Sequence, residues 1–414
     1  MTEGQMGPRR SPLAVFLHRD FLLYWIGMCV SSIGTWMQVV GQSWMVLDVT
    51  GSPLLLGLQT AAQYAPSVLL SLIAGTLADR FSKRNILIIA QSVMMVSAFA
   101  LAWLTWTGRV QYWHVLLLSF IGGIATAFDV PTRQALLIDL VGREDLMSAI
   151  SLNAALFNVA RVVGPAAAGV VLAIHGPAVA FFLNGASFLA IIGALSVMKS
   201  PPRRQSLKSG PVLASLEEDT AEGLRFIVET PVALYSVAAL FLINMFALNF
   251  QVLMPIIAKD VLGRDAGEYG MLFSALGAGA LLSSAVVSYS SYRGPSVYSM
   301  LAGAFLASAL TAGAGLTRSF HVSMVIVALI GWWFVAFVAN VNSLLQYNTP
   351  DHLRGRVMSV YSLVSLGATP AGSIYVGLVA GLLGGRAGCI AAGAAGVVAS
   401  AFLFLWANRR QFFR

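Results

Sequence analysis

Gly75-Thr76-Leu77-Ala78-Asp79-Arg80-Phe81-Ser82-Lys83-Arg84 places one carboxylate and three cations in a short turn between two long apolar runs. A turn this charged does not belong in hydrocarbon and the runs beside it do not belong in water, so it marks a membrane face with a helix on either side. Working outward, apolar runs begin near Phe21, Pro53, Ile86, Tyr112, Leu146, Pro177, Pro231, Gly267, Pro295, Phe320, Val357 and Arg386. Each is long enough for the roughly 20 residues that cross a bilayer as a helix. The expectation is an all-α membrane protein of twelve transmembrane helices. With 58% hydrophobic residues, 10% charged residues and a mean hydropathy of +0.79, the chain holds more apolar surface than a soluble core can bury. Its longest polar stretch, residues 199–229, leaves no room for a soluble domain.

The cations give an orientation. With both termini placed in the cytoplasm, 19 of the 25 Lys and Arg residues, Arg133 among them, fall on that side. Arg109, Lys259, Arg264, Arg318 and Arg386 fall on the other, and Arg161 stays inside a span. This asymmetry follows the positive-inside rule, so the net charge of +8 reflects topology and anionic headgroups, and no nucleic-acid partner is expected. Residues 1–20 lack the apolar core and small-residue cleavage site of a removable leader, so the first span is expected to persist. Cys29 and Cys389, isolated in apolar runs, suggest neither a disulfide framework nor a metal site.

The chain divides about its middle. A cytoplasmic segment (1–20) precedes an N-terminal six-helix bundle (21–198), a cytoplasmic linker (199–230), a C-terminal six-helix bundle (231–408) and a short tail (409–414). Lys199-Ser200-Pro201-Pro202-Arg203-Arg204 reads as a stiff basic exit. Ser215-Leu216-Glu217-Glu218 then has capping-box spacing, and Leu216, Leu224 and Ile227 can share a face. That fits either an amphipathic helix on the membrane surface or a solvated linker helix. A weak internal repeat supports the split: Leu136-Leu137 and Met147-Ser148-Ala149-Ile150-Ser151-Leu152 recur as Leu344-Leu345 and Met358-Ser359-Val360-Tyr361-Ser362-Leu363. Paired bundles with a site between them are a recurring transporter architecture.

On these motifs the chain resembles the major facilitator superfamily over nearly its whole length. The turn Gly75–Arg84 resembles the signature between spans two and three, with Ser82 where Gly is usual. Phe128-Asp129-Val130-Pro131-Thr132-Arg133-Gln134, Arg143-Glu144-Asp145-Leu146 and Asn158-Val159-Ala160-Arg161-Val162-Val163-Gly164-Pro165 resemble the branch of the enterobactin exporter and related drug and siderophore exporters. The resemblance implies two pseudo-symmetric six-helix bundles whose spans one, four, seven and ten line a central cavity. It also implies a charge lock at the cytoplasmic rim, in which Asp79, beside Arg80, Lys83 and Arg84, pairs with an arginine; Arg133, Arg354 and Arg356 are candidates.

Thr126, Asp129 and Arg133 share one face of the fourth span. Asp129 is the candidate coupling carboxylate, able to gain and lose a proton, although a static pair with Arg133 at i+4 fits the same spacing. Arg161, a second coupling candidate, stands four residues before Pro165, where the missing amide should kink the fifth span and Gly164 permits close approach. Gly164-Pro165 resembles the exporter signature of the superfamily, with Ala160 replacing an expected Gly. In the first span Ser31, Thr35, Gln38 and Gln42 form a polar stripe. Asn244 and Gln251 share a face in the seventh span, as do Trp333, Asn340, Ser343 and Tyr347 in the tenth. Such stripes face either a wet cavity or a neighbouring helix by hydrogen bonding. As cavity lining they suit an amphipathic organic molecule better than an ion.

None of the four lysines lies in a phosphate-loop pattern, and the five histidines are scattered without a nucleophile or metal constellation. Neither a cofactor nor enzymatic chemistry is expected. The leading expectation is a monomeric, proton-coupled secondary transporter, an antiporter of the bacterial inner membrane. It would export a small siderophore- or drug-like compound by alternating access, in contact with membrane lipids. A lipid or lysolipid flippase is a second reading, and a non-transporting scaffold or assembly factor a third.

Overall fold

The computed structural model describes residues 12–198, 212–290 and 294–409; the side chains of 12–13, 71–72, 75–76, 78–80, 212–219, 290 and 409 fall outside that description. The described chain is helical, with no strand among the described residues. Helices α1 (Arg19–Thr50), α2 (Pro53–Arg80), α3 (Lys83–Trp106), α4 (Tyr112–Val141), α5 (Leu146–His175) and α6 (Pro177–Val197) form the first half. Helix α7 (Val212–Glu229) follows. The second half holds α8 (Pro231–Phe246), α9 (Phe250–Ile256), α10 (Ala266–Ser290), α11 (Val297–Leu316), α12 (Phe320–Asn348), α13 (Arg354–Leu383) and α14 (Gly385–Arg409).

Eleven segments among the described residues are long and apolar enough to cross a membrane, with α8, α9 and the π-helical turn Ile257–Val261 counted as one. The remaining helix of comparable length, α2, has 28 residues, about 42 Å at 1.5 Å per residue, though several of its side chains near Arg80 lie outside the description.

Local chemistry sets the turns. Gly51 closes α1 in the left-handed region (φ 59°), donating its N–H to the Leu47 carbonyl at 3.0 Å. Ser52 then caps α2 by accepting the Leu55 N–H, with Pro53 in the first helical position. The up-and-down order puts this turn at the end of the bundle away from the termini.

Within each half the helices pack chiefly on one another, and the halves meet along two long seams, α2 against α13 and α5 against α10. Exchanging the halves maps α2 onto α10 and α5 onto α13, so each seam is the image of the other. Both rest on small residues. A Cβ on Gly377 would lie 2.6 Å from the Pro53 carbonyl oxygen and 3.2 Å from the Gly57 Cα. Across the second seam Ser274 Oγ donates to the Val162 carbonyl at 3.3 Å.

Helix α7 is seated on the second half, its Ile227 buried and its Glu222 paired with Arg356 of α13. Leu224 is 51% exposed, so it does not share Ile227's buried face. Ser215 and Leu216, like the basic exit 199–204, lie outside the described side chains. Arg133, counted above on the cytoplasmic face, instead lies inside the first half with its side chain 15% exposed. A carboxylate one turn back in the same helix holds it there.

Candidate functional site

A cavity of 250 Å³ lies between the halves and draws its lining from both. The first half contributes Trp36 (α1), Tyr64 (α2) and Arg161 (α5); the second contributes Asn244, Phe250 and Gln251 around the α8–α9 junction, Phe273 (α10), Phe334 (α12) and Thr369 (α13). Gln251 Nε2 donates to Tyr64 Oη at 2.5 Å, bridging the halves across the lining. The Arg161 guanidinium stands over the Trp36 ring, 5.4 Å from its centre.

The break between α8 and α9 places three of these groups. The chain leaves helical geometry at Ala247–Asn249, freeing backbone carbonyls that lipid could not satisfy. Asn249, buried, answers them: its Nδ2 donates to the Asn244 carbonyl at 2.8 Å, and its Oδ1 accepts from Ser373 Oγ at 2.9 Å. Discontinuous helices of this kind line binding sites in secondary transporters. Replacing Asn249 with Leu leaves these partners unsatisfied at an expected cost of about 2 kcal/mol. It should read out as a melting temperature a few degrees lower in detergent; an unchanged melting temperature would deny the junction this support.

Of the sequence candidates for the lining, the structure brings Asn244 and Gln251 to this cavity, together with Arg161. The stripe of α1 points elsewhere. Thr35, Gln38 and Gln42 line a smaller pocket of 70 Å³ inside the first half. There Gln42 Nε2 donates to Ser119 Oγ at 2.6 Å and Asn184 Nδ2 to Gln38 Oε1 at 2.6 Å. The stripe therefore faces polar residues of α4 and α6, and the α1 residue at the central cavity is Trp36. In α12, Asn340 bonds the Ala336 carbonyl at 2.9 Å, Tyr347 is 80% exposed and Trp333 packs on the second half's core. Gly331 and Phe334 of that helix line the cavity instead.

The geometry is that of two helical bundles enclosing a chamber at their interface, and the sequence agrees with it. The profile described as transmembrane secretion effector matches residues 10–412. The chain belongs to this family of the major facilitator superfamily. The multidrug efflux pump Tap of Mycolicibacterium fortuitum is 27% identical over 88% of this chain and 90% of its own. The staphyloferrin A transporter of Staphylococcus aureus is 25% identical, covering 89% of each chain. The enterobactin exporter EntS of Shigella boydii is 26% identical over 88% of this chain and 84% of its own. The fold is also that of a bacterial homologue of the lysosomal transporter Spinster, at a TM-score of 0.74 and 16% identity, covering 96% of this chain and 97% of that one. This secretion effector family member is thus a multi-pass membrane transporter related to siderophore and drug exporters.

The charged residues of the family member's signature turn tie its first half together. Lys83 Nζ meets Asp139 Oδ2 at 2.5 Å and donates to the Ala135 carbonyl at 3.0 Å, while Arg84 donates to the Ser196 carbonyl at 2.5 Å. The side chains of Asp79 and Arg80 lie outside the described residues. Of their expected partners, Arg133 pairs with Asp129 at 2.7 Å, Arg354 with Asp351 at 2.7 Å, and Arg356 with Glu222 of α7. At the opposite end Lys259 reaches across the halves to Asp48 at 2.6 Å, beside the stacked Trp44 and Tyr269 rings.

Asp129 sits in a built environment. It is 3% exposed, and its second oxygen accepts from Gln91 Nε2 of α3 at 2.8 Å. Arg133 lies over the Phe157 ring of α5, 5.1 Å from its centre. Helix α5 stays helical through Pro165, and Gly164 meets α1 where a Cβ would stand 2.9 Å from the Ile33 carbonyl.

Proposed function

We propose that this transporter exports a small amphipathic organic compound, siderophore- or drug-like, across the bacterial inner membrane in exchange for protons, as a monomer with both termini cytoplasmic. The observation that carries the reading is the interfacial cavity, in which five aromatic rings stand beside amide, hydroxyl and guanidinium groups drawn from both halves. Alternating access follows if the seams at one end part as those at the other close. Lys259–Asp48 and the Gly377 contact hold the end away from the termini together, while at the other end Arg133 pairs with Asp129 and Arg354 with Asp351, each inside one half. Asp129, buried beside a cation on a helix of the first half, is the proposed proton carrier. The electrical part of the proton gradient supplies about 2.3 kcal/mol per charge per 100 mV.

Everted membrane vesicles test this reading. Energised uptake of a catecholate siderophore or a neutral aryl amide is expected, with loss on addition of a protonophore. Uptake indifferent to the gradient would remove proton coupling, and selective translocation of labelled phospholipid would favour a flippase.

A further inference from the structure

We propose that the central cavity takes an organic anion, its acidic group held by Arg161 and its flat apolar body lodged among Trp36, Phe250, Phe273 and Phe334. This deepens the exporter reading and rests on it. Arg161 is the one charged residue among those lining the cavity, and no carboxylate lines it with Arg161. Among the described residues its side chain makes no hydrogen bond and no ion pair, and its Nε is buried without a partner. Two other cations drawn inside the first half stand beside carboxylates, Arg133 with Asp129 at 2.7 Å and Lys83 with Asp139 at 2.5 Å, and a third, Arg84, donates to the Ser196 carbonyl.

A guanidinium at membrane depth without a counter-ion is a costly arrangement to keep unless something else supplies the negative charge. Trp36 gives partial compensation through its ring face, and the fork of donors remains unused. A carboxylate, phenolate or hydroxamate arriving in the cavity would complete the pair by charge-assisted hydrogen bonds. Asn244, in the lining from the opposite half, adds a side-chain amide donor. The aromatic walls then select an anion carrying a ring or comparable apolar plate over a hydrated inorganic ion. Because Arg161 belongs to one half and Asn244 to the other, such a ligand would be gripped from both sides.

The test compares two probes of one shape and different charge, 2-naphthoate and 2-naphthamide, by equilibrium binding to the full-length protein in detergent. Wild type is expected to bind the naphthoate at least about tenfold more tightly. Arg161→Gln should abolish the preference, bringing the two probes to comparable affinity, while an unchanged melting temperature in detergent shows that the variant is folded. Arg161→Lys should retain part of the preference. Equal binding of both probes by wild type, or a preference that survives in Arg161→Gln, would overturn the anion assignment and leave the exporter reading standing. Binding of neither probe would count against both.

Discussion

Asparagine in place of Asp129 is expected to reduce gradient-driven uptake in everted vesicles to the level of vesicles without the protein, while substrate binding in detergent persists. The carboxylate is 3% exposed and engages Arg133 and Gln91, away from the central cavity. Its loss therefore removes a proton acceptor without touching the lining. A purely structural pair makes a different forecast, and stability separates the two. Arg133→Ala strands a buried carboxylate and should cost about 3–5 kcal/mol in unfolding free energy. Combining Asp129→Asn with Arg133→Gln replaces both charges by amides and should recover most of that loss. If the double variant is stable yet uncoupled, Asp129 carries protons; if it is stable and coupled, the pair is only a clasp.

A side chain on Gly377 should have the second large effect. Its missing Cβ faces the Pro53 carbonyl oxygen at 2.6 Å and the Leu54 and Gly57 Cα atoms at 3.2 Å, all backbone, so neither neighbour can swing aside. Valine there must separate α13 from α2 at the end away from the termini. Overpacking typically costs about 1–3 kcal/mol, enough to move a balance between conformers by roughly tenfold or more. In a background lacking Cys29 and Cys389, a cysteine at Thr369 should then react at least about tenfold faster with an impermeant maleimide applied from outside the cell. Unchanged labelling would mean that this seam does not gate the cavity.

Much of the fold was legible because membrane crossing is read from composition and length alone, and the turn Gly75–Arg84 falls, as read, where one long helix ends and the next begins. The site was legible only in part. Asn244 and Gln251 announced themselves as amides in an apolar helix, and Arg161 as a lone charge. The glutamines of α1 sent the same signal for another reason, since hydrogen bonds to Ser119 and Asn184 inside one half demand the same periodic polarity as a wet cavity. Trp36, Phe250, Phe273 and Phe334 gave no signal, because an aromatic ring facing a ligand and one facing lipid look alike in sequence. The break before α9 had a faint signature in Asn249 and Pro255, which only the capping bonds of Asn249 make readable.

The most direct measurement follows two spin-label distances in the reconstituted protein as a proton gradient and substrate are applied. One pair joins Val49 and Leu382, exposed on opposite halves at the end away from the termini; the other joins Met147 and Tyr347, exposed at the terminal end. Alternation about the cavity predicts opposite changes, the first distance lengthening as the second shortens. Two distances that stay fixed, or that rise and fall together, would contradict it.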